Sequence, residues 1–380
     1  GFVKFDAGGE DGFLNPSELR KCFHGDRVLV SVINLDHKGR KNLAIAEILE
    51  RRLTRVTGRL NIRSGIATVV PDDKRVIHEI LIGPDDRGDA KDGQLVVAEI
   101  MDSPDRGRPP IGKELVVSGD QLTASKVVEM AIHGHNLPHE FDDAVLREAN
   151  GIPVDVQISE IAGRVDLRQM PLVTIDGEDA KDFDDAVYCE KNTSAWKLFS
   201  GGWKLYVAIA DVSHYVKVGS ALDEEALVRG NSVYFPERVI PMLPEELSNG
   251  LCSLNPHVDR LALVCEMTIS KLGKLVDYQF CEAVIHSHAR LTYNKVSAML
   301  EQPKATEGRA LSGEYKEVLP HLKQLYSLYK VLLAARHVRG AIDFETQETR
   351  IVFGSERKIA EIRPTVRNDA HKLIEECMLA

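Results

Sequence analysis

The chain has no run approaching the roughly 18 consecutive apolar residues that a membrane-spanning helix requires. Its opening, GFVKFDAGGEDGF, has neither the charged start nor the apolar stretch of a signal peptide. It also has no initiator Met, so the chain is expected to begin partway through a longer protein. None of its six cysteines (Cys22, Cys189, Cys252, Cys265, Cys281, Cys377) forms a C-x-x-C pair, and several sit in apolar runs such as LALVCEMTI. That argues against a disulfide framework and for reduced thiols in a soluble, cytoplasmic protein. A surplus of positive charge is missing too: 48 Lys and Arg face 58 Asp and Glu, a net charge of −10. Taken alone, this counts against nucleic acid, because phosphate binding usually leaves a basic footprint.

The distribution of charge softens that objection. Residues 1–60 hold eleven Lys/Arg and eight Asp/Glu, a local net of +3. Arg20, Lys21, Arg51, Arg52 and Arg55 could line a path for an anionic strand, although each taken singly reads as ordinary surface charge. Residues 171–190, in contrast, hold seven acidic groups and one Lys. Like charges packed so closely repel and call for cations.

Residues 1–55 and 56–137 read as two successive small all-β units, rich in β-branched residues and punctuated by Gly, Pro and Asp. HGDRVLVSV and KDGQLVVAEI form a weak repeat between them: a turn ending in Gly, then an alternating strand. Residues 138–160 form a connector that opens with a helical, acidic stretch. From 161 to 380 strand-like runs (PLVTI, DDAVYCE, WKLYVAIADVSHYV) alternate with helical ones, which indicates a mixed α/β domain. Its longest helix is expected over 317–339, with Leu322, Leu325, Tyr326 and Tyr329 on one face. The chain stops inside another helical run, DAHKLIEECMLA, so this domain is expected to be incomplete at its C-terminus.

The chemistry concentrates in PLVTIDGEDAKDFDDAV. An apolar strand delivers Asp176, a polar turn follows, and Asp182, Asp184 and Asp185 enter a second strand. A hairpin would bring Asp176 back beside the other three. In an extended stretch Asp182 and Asp184 share a face that Asp185 does not, so convergence requires a bend near Phe183. Carboxylates without His or Cys suit a hard cation, Mg²⁺ first and Mn²⁺ as a substitute. Four of them suit two ions about 3.5–4 Å apart, a pattern that hydrolyses phosphodiesters by in-line attack. An EF-hand loop counted from Asp176 fails, because Lys181 and Val187 occupy the positions that need Gly and an acid. A plain solvated acidic hairpin stays open on composition alone. His133, His135 and His139 suggest zinc but have no cysteine nearby to complete a tetrahedral set.

TIDGEDAKDFDDAV resembles the signature of the ribonuclease II/R family, in wording closer to its ribonuclease R branch. WKLYVAIADVSHYV, NSVYFPERVIPMLPEELSNGLCSLNP, HARLTYNKV, RGAIDFE and RNDAHKLIEECM follow in the family's order. The resemblance implies two cold-shock-type OB-fold barrels ahead of an RNB catalytic domain. It implies a processive, hydrolytic 3′-to-5′ exoribonuclease that takes single-stranded RNA with a free 3′ end, and structured RNA by extension, to nucleoside 5′-monophosphates without a nucleotide cofactor. It assigns Asp176, Asp182, Asp184 and Asp185 to metal and catalysis, with Asp184 nearest the chemical step. It assigns Tyr234 and Phe344 to base stacking, and Tyr293 and Glu375 to the ribose 2′-hydroxyl. Without it, Tyr234 and Phe344 would read as core aromatics, Tyr293 as a packing residue and Glu375 as a solvent-facing helix residue. The family's catalytic domain continues beyond Ala380, so the alternative is an RNA-binding fragment without activity of its own.

Overall fold

A computed structural model describes residues 1–37, 39–104, 108–117, 124–192, 201–236, 238–342, 347–354 and 358–380. The chain divides into two compact units, Gly1–His139 with Phe353–Ala360, and Glu140–Val352 with Glu361–Ala380.

The first unit begins with β1 (Phe2–Val3), β2 (Gly12–Leu14), a short helix α1 (Pro16–Leu19), β3 (Arg27–Leu35) and β4 (Lys41–Glu50), whose strands form a sheet in the order β1-β2-β4-β3. Asn15 starts α1: its side-chain oxygen accepts the N–H groups of Ser17 and Glu18, both at 3.0 Å, and Pro16 needs no partner. Then β5 (Arg55–Arg63), β6 (Ile66–Pro71), β7 (Ile80–Ile82), β8 (Leu95–Asp102) and β9 (Ile111–Val117) close into a barrel in the order β5-β6-β7-β9-β8. Period-2 alternation explains its core, in which Leu60, Val69, Ile80, Val96 and Ala98 point inward. Gly58 is required where β5 meets β6, since a Cβ there would run into the Val70 carbonyl. Helix α2 (Ala124–Gly134) follows the barrel. The basic residues of this unit make local contacts: Lys21 with Glu18, Arg51 with Asp26, Arg52 with Glu50 and Arg55 with His133.

In the second unit α3 (Asp143–Gly151) and α4 (Ile158–Ile161) precede β10 (Val165–Asp166), β11 (Val173–Asp176), β12 (Asp185–Lys191) and β13 (Trp203–Ala210). Next come α5 (Val212–Tyr215), α6 (Ala221–Arg229) and a hairpin of β14 (Val233–Phe235) and β15 (Arg238–Ile240). The chain then forms β16 (Asp259–Ile269), β17 (Leu275–His286), β18 (Ala289–Thr292), α7 (Tyr293–Leu300), α8 (Thr306–Glu314), α9 (Leu319–Arg339), β19 (Thr349–Phe353), β20 (Ile359–Pro364) and α10 (Asp369–Leu379). Seven strands make one mixed sheet, in the order β10-β17-β16-β13-β12-β11-β18.

The centre of that sheet, at β11, β12 and β13, is covered on both faces, which is why those strands read as near-continuous apolar runs. On one face Val173, Ile175, Val187, Leu205 and Val207 pack against Leu322, Leu325, Leu328 and Leu332 of α9 and Leu373 of α10. On the other, Ala186, Tyr206, Ala208 and Val264 pack against Leu222, Leu247 and Leu254. The all-β start and the mixed α/β remainder expected from the sequence are both present. Helix α9 carries its expected stripe, with Leu322, Leu325 and Tyr329 buried, and ends at Gly340 with φ 76°.

Candidate active site

Strands β11 and β12 are antiparallel neighbours, with Val173 opposite Val187, so the loop 177–184 turns the chain back on itself. Asp176 ends β11 and Asp185 begins β12. On its other side β11 runs parallel to β18, which sets Asp176 beside Thr292, the cap of α7. The side chains therefore gather at the C-terminal end of β11.

Phe183, where the sequence expects a bend, is anchored by identifiable contacts. Residues 181–184 lie between the paired strands β11 and β12, and the Phe183 side chain is buried. The Phe183 N–H donates to Ser253 Oγ at 3.0 Å, and its carbonyl accepts the Leu254 N–H at 2.7 Å. The next carbonyl, that of Asp184, accepts the Ala210 N–H at 2.9 Å. Ser253 is held in turn by Arg260, a buried guanidinium whose Nε donates to the carbonyls of Gly250 and Ser253 at 3.1 and 3.0 Å. These contacts fix the backbone between Asp182 and Asp184. Ser253→Ala removes the partner of the Phe183 N–H and is expected to cost roughly 1–2 kcal/mol in urea unfolding, with a loss of activity beyond the loss of stability. A variant of unchanged stability would show that this hydrogen bond does not hold the bend.

The electrostatics are those of crowded anions. Burial pushes the Asp185 carboxyl up to about 6, and the charges of Asp176 and Asp184 push the same way. Asp184 is raised to about 6 by its dense surroundings, then by Asp182 and Asp176. Asp184 keeps an exposed edge that water screens, so Asp185, the less exposed of the two, carries the firmer shift. Asp176 Oδ1 accepts the Gly177 N–H at 2.6 Å, whereas Asp185 Oδ2 is buried with no hydrogen-bond partner. A buried orphan carboxylate oxygen within a set of oxygen-only donors fits a hard cation. Among the described residues no three His, Cys, Asp or Glu side chains close into a ready-made metal cage. Mg²⁺ does not require one, because it keeps several waters and takes only one or two carboxylates directly.

Two tyrosines reach the cluster. Tyr234, on β14, donates its hydroxyl to Asp182 Oδ2 at 2.8 Å while 63% of its surface stays exposed, so its ring is free to stack. Tyr293, the first residue of α7, has its hydroxyl pushed up by burial and then by the charges of Asp176 and Asp185, and its ring stacks on His371 at 4.0 Å. Glu375 lies on α10 and is tied to Arg336 at 3.3 Å and to Arg367, so it is not the free helix carboxylate its sequence suggests. Phe344 lies outside the described residues. Sequence reasoning missed Ser253, Arg260 and His371. The one available signal was Arg260, a lone charge entering an apolar strand.

The description "RNB domain" matches residues 164–380, "Cold shock domain" matches 69–142 and "Ribonuclease B OB domain" matches 1–48. More than half of the chain is therefore RNB domain. Ribonuclease R of Vibrio cholerae is 51% identical over 369 residues, which cover 97% of this chain and 44% of that protein. Ribonuclease R of Acidithiobacillus ferrooxidans is 45% identical over 346 residues, covering 90% and 76%. Among solved structures, the apo form of Mycoplasma genitalium RNase R superposes with a TM-score of 0.85 at 28% identity, over 100% of this chain and 58% of that one. The same protein in complex with ribose methylated single-stranded RNA gives 0.83, over 97% and 56%. The chain belongs to the ribonuclease R family, and it spans 44% of the length of its Vibrio cholerae relative.

Proposed function

We propose that this chain carries the metal-binding core of a hydrolytic 3′-to-5′ exoribonuclease that acts in the cytoplasm. The observation that carries the reading is the convergence of Asp176, Asp182, Asp184 and Asp185, with the Asp185 Oδ2 oxygen buried and unpartnered. These four residues would hold Mg²⁺, which when bound supplies an activated water and steadies the leaving oxygen. Tyr234 orients the Asp182 carboxylate through its hydroxyl, and Tyr293 lies beside Asp176 and Asp185. The exposed Tyr234 ring stacks on a base near the 3′ end whatever its identity, as a sequence-independent degrader requires. The Mycoplasma genitalium relative is a complex with single-stranded RNA, and we assign this chain the same class of substrate. Among the described residues no helix is long and apolar enough to cross a membrane.

The test is a labelled single-stranded RNA offered with a free or a blocked 3′ end, in Mg²⁺ or in EDTA. Release of nucleoside 5′-monophosphates is expected only with the free end and the metal. RNA binding without metal-dependent hydrolysis would make residues 1–380 a binding fragment.

Tyr234 separates two roles in one side chain. Tyr234→Phe keeps the ring and loses the bond to Asp182, so kcat is expected to fall about tenfold with the length of the final product unchanged. Tyr234→Ala should alter the product length as well. If the Phe and Ala variants behave alike on end-labelled RNA, the hydroxyl has no separate role.

A further inference from the structure

The acidic loop 177–184 is fastened from outside by three side chains. Asn294 donates to Glu178 Oε1 at 2.7 Å, and Arg350 pairs with Asp179. These two contacts engage the acids that the cluster does not use. The third side chain, Arg290 on β18, acts differently. Its Nη2 donates to the Ala180 carbonyl at 2.6 Å, and its guanidinium carbon lies 4.0 Å from the centroid of the Phe183 ring. Arg290 thus grips the loop at two points, three residues apart, that bracket Lys181 and Asp182.

We propose that Arg290 is a positioning residue for Asp182 and Asp184, setting them through the loop backbone and the Phe183 ring without touching them. The role rests on reading the cluster as a ribonuclease centre. Among the described residues Arg290 makes no ion pair, although it lies beside a strongly acidic segment. An ion pair with Asp182 or Asp184 would occupy oxygens that a cation needs. By gripping a carbonyl and a ring instead, Arg290 leaves the carboxylates of the cluster open. The grip depends on a planar fork that can stack and donate at once, and a lysine ammonium cannot reproduce it. Phe183 is therefore held from two directions: its backbone by Ser253 and Leu254, and its ring by Arg290.

The experiment compares the wild-type chain with Arg290→Lys and Arg290→Ala. Amide hydrogen exchange is followed at Phe183, Mn²⁺ binding by electron paramagnetic resonance, and kcat and KM on single-stranded RNA. In both variants exchange at Phe183 is expected to accelerate at least tenfold, Mn²⁺ affinity to weaken, and kcat to fall about 100-fold with KM within twofold. Arg290→Lys retains the charge and guards against a folding defect in the Ala variant. Unchanged exchange at Phe183 overturns the proposal. A raised KM with kcat and Mn²⁺ affinity intact also overturns it, by making Arg290 a ligand of the RNA. A wild-type chain that neither binds Mn²⁺ nor cleaves RNA refutes the ribonuclease reading itself, and the exchange result still reports separately on the grip.

Discussion

Replacing Asp184 by Asn is expected to lower kcat for RNA hydrolysis by about 10³-fold while RNA affinity changes by no more than about threefold. The substitution is nearly isosteric, and the Asp184 backbone is anchored independently through its carbonyl to the Ala210 N–H. Its side chain keeps an exposed edge and packs no core, so the fold has little to lose. What disappears is one negative charge among four, at the residue that the family pattern places nearest the chemical step. An interaction that matters only as charge develops at the phosphorus lowers kcat and leaves ground-state binding alone. Single-turnover cleavage of labelled RNA, set beside filter binding of the same RNA, separates the two quantities. Equal cleavage rates for variant and wild type would remove Asp184 from the mechanism.

Replacing Asp185 by Asn should make the metal-free chain more stable above pH 6, by on the order of 2 kcal/mol. The sign follows from the direction of the shift. Asp185 titrates at about 6 in the fold, above the ordinary range of a carboxylate in an unfolded chain. Below about pH 4 the group is protonated in both states and costs nothing. Between pH 4 and 6 the unfolded chain has released its proton while the folded chain still holds it, so stability falls as pH rises. Above pH 6 the full penalty of a crowded, partly buried charge is present, and the amide escapes it. Saturating Mg²⁺ should reverse the order, because only the wild type gains the bound cation. Urea unfolding at pH 4, 5.5 and 8, in EDTA and in Mg²⁺, gives both comparisons. Identical midpoints for the two proteins in EDTA at pH 8 would contradict the assignment of a strained carboxylate at this position.

Much of the fold was legible because its signals are local. Alternating strands in residues 56–120 gave the barrel, and a heptad-like stripe gave α9. The aspartates stood out as oxygen-only donors on a strand–turn–strand segment, but composition alone left a plain acidic hairpin open, and it was the ordered motifs around them that assigned them to metal and catalysis. The supports of the site were not legible, because they come from far along the chain. Ser253 and Arg290 lie 70 and 107 or more residues from the loop they hold, and the recorded separations of 70 for Phe183–Ser253 and 110 for Ala180–Arg290 show why no window of sequence could pair them. Glu375 shows the complementary failure. Helical periodicity placed it on α10 correctly, but its partners Arg336 and Arg367 depend on tertiary packing.

The parallel pairing of β11 with β18 has a consequence for biosynthesis. A ribosome releases Asp176 and the rest of the acidic segment early, yet β11 cannot acquire its outer neighbour until Thr292 has emerged, and Glu178 waits 116 residues for Asn294. Contacts separated so widely form late, after the loop-closure entropy between them has been overcome. While the chain grows from Asp185 to Asn294, it carries all four carboxylates without the β18 and α7 neighbours that help aim them. For the ribonuclease centre proposed above, with single-stranded RNA as its substrate, this order of synthesis would delay assembly of the site beside the messenger being translated.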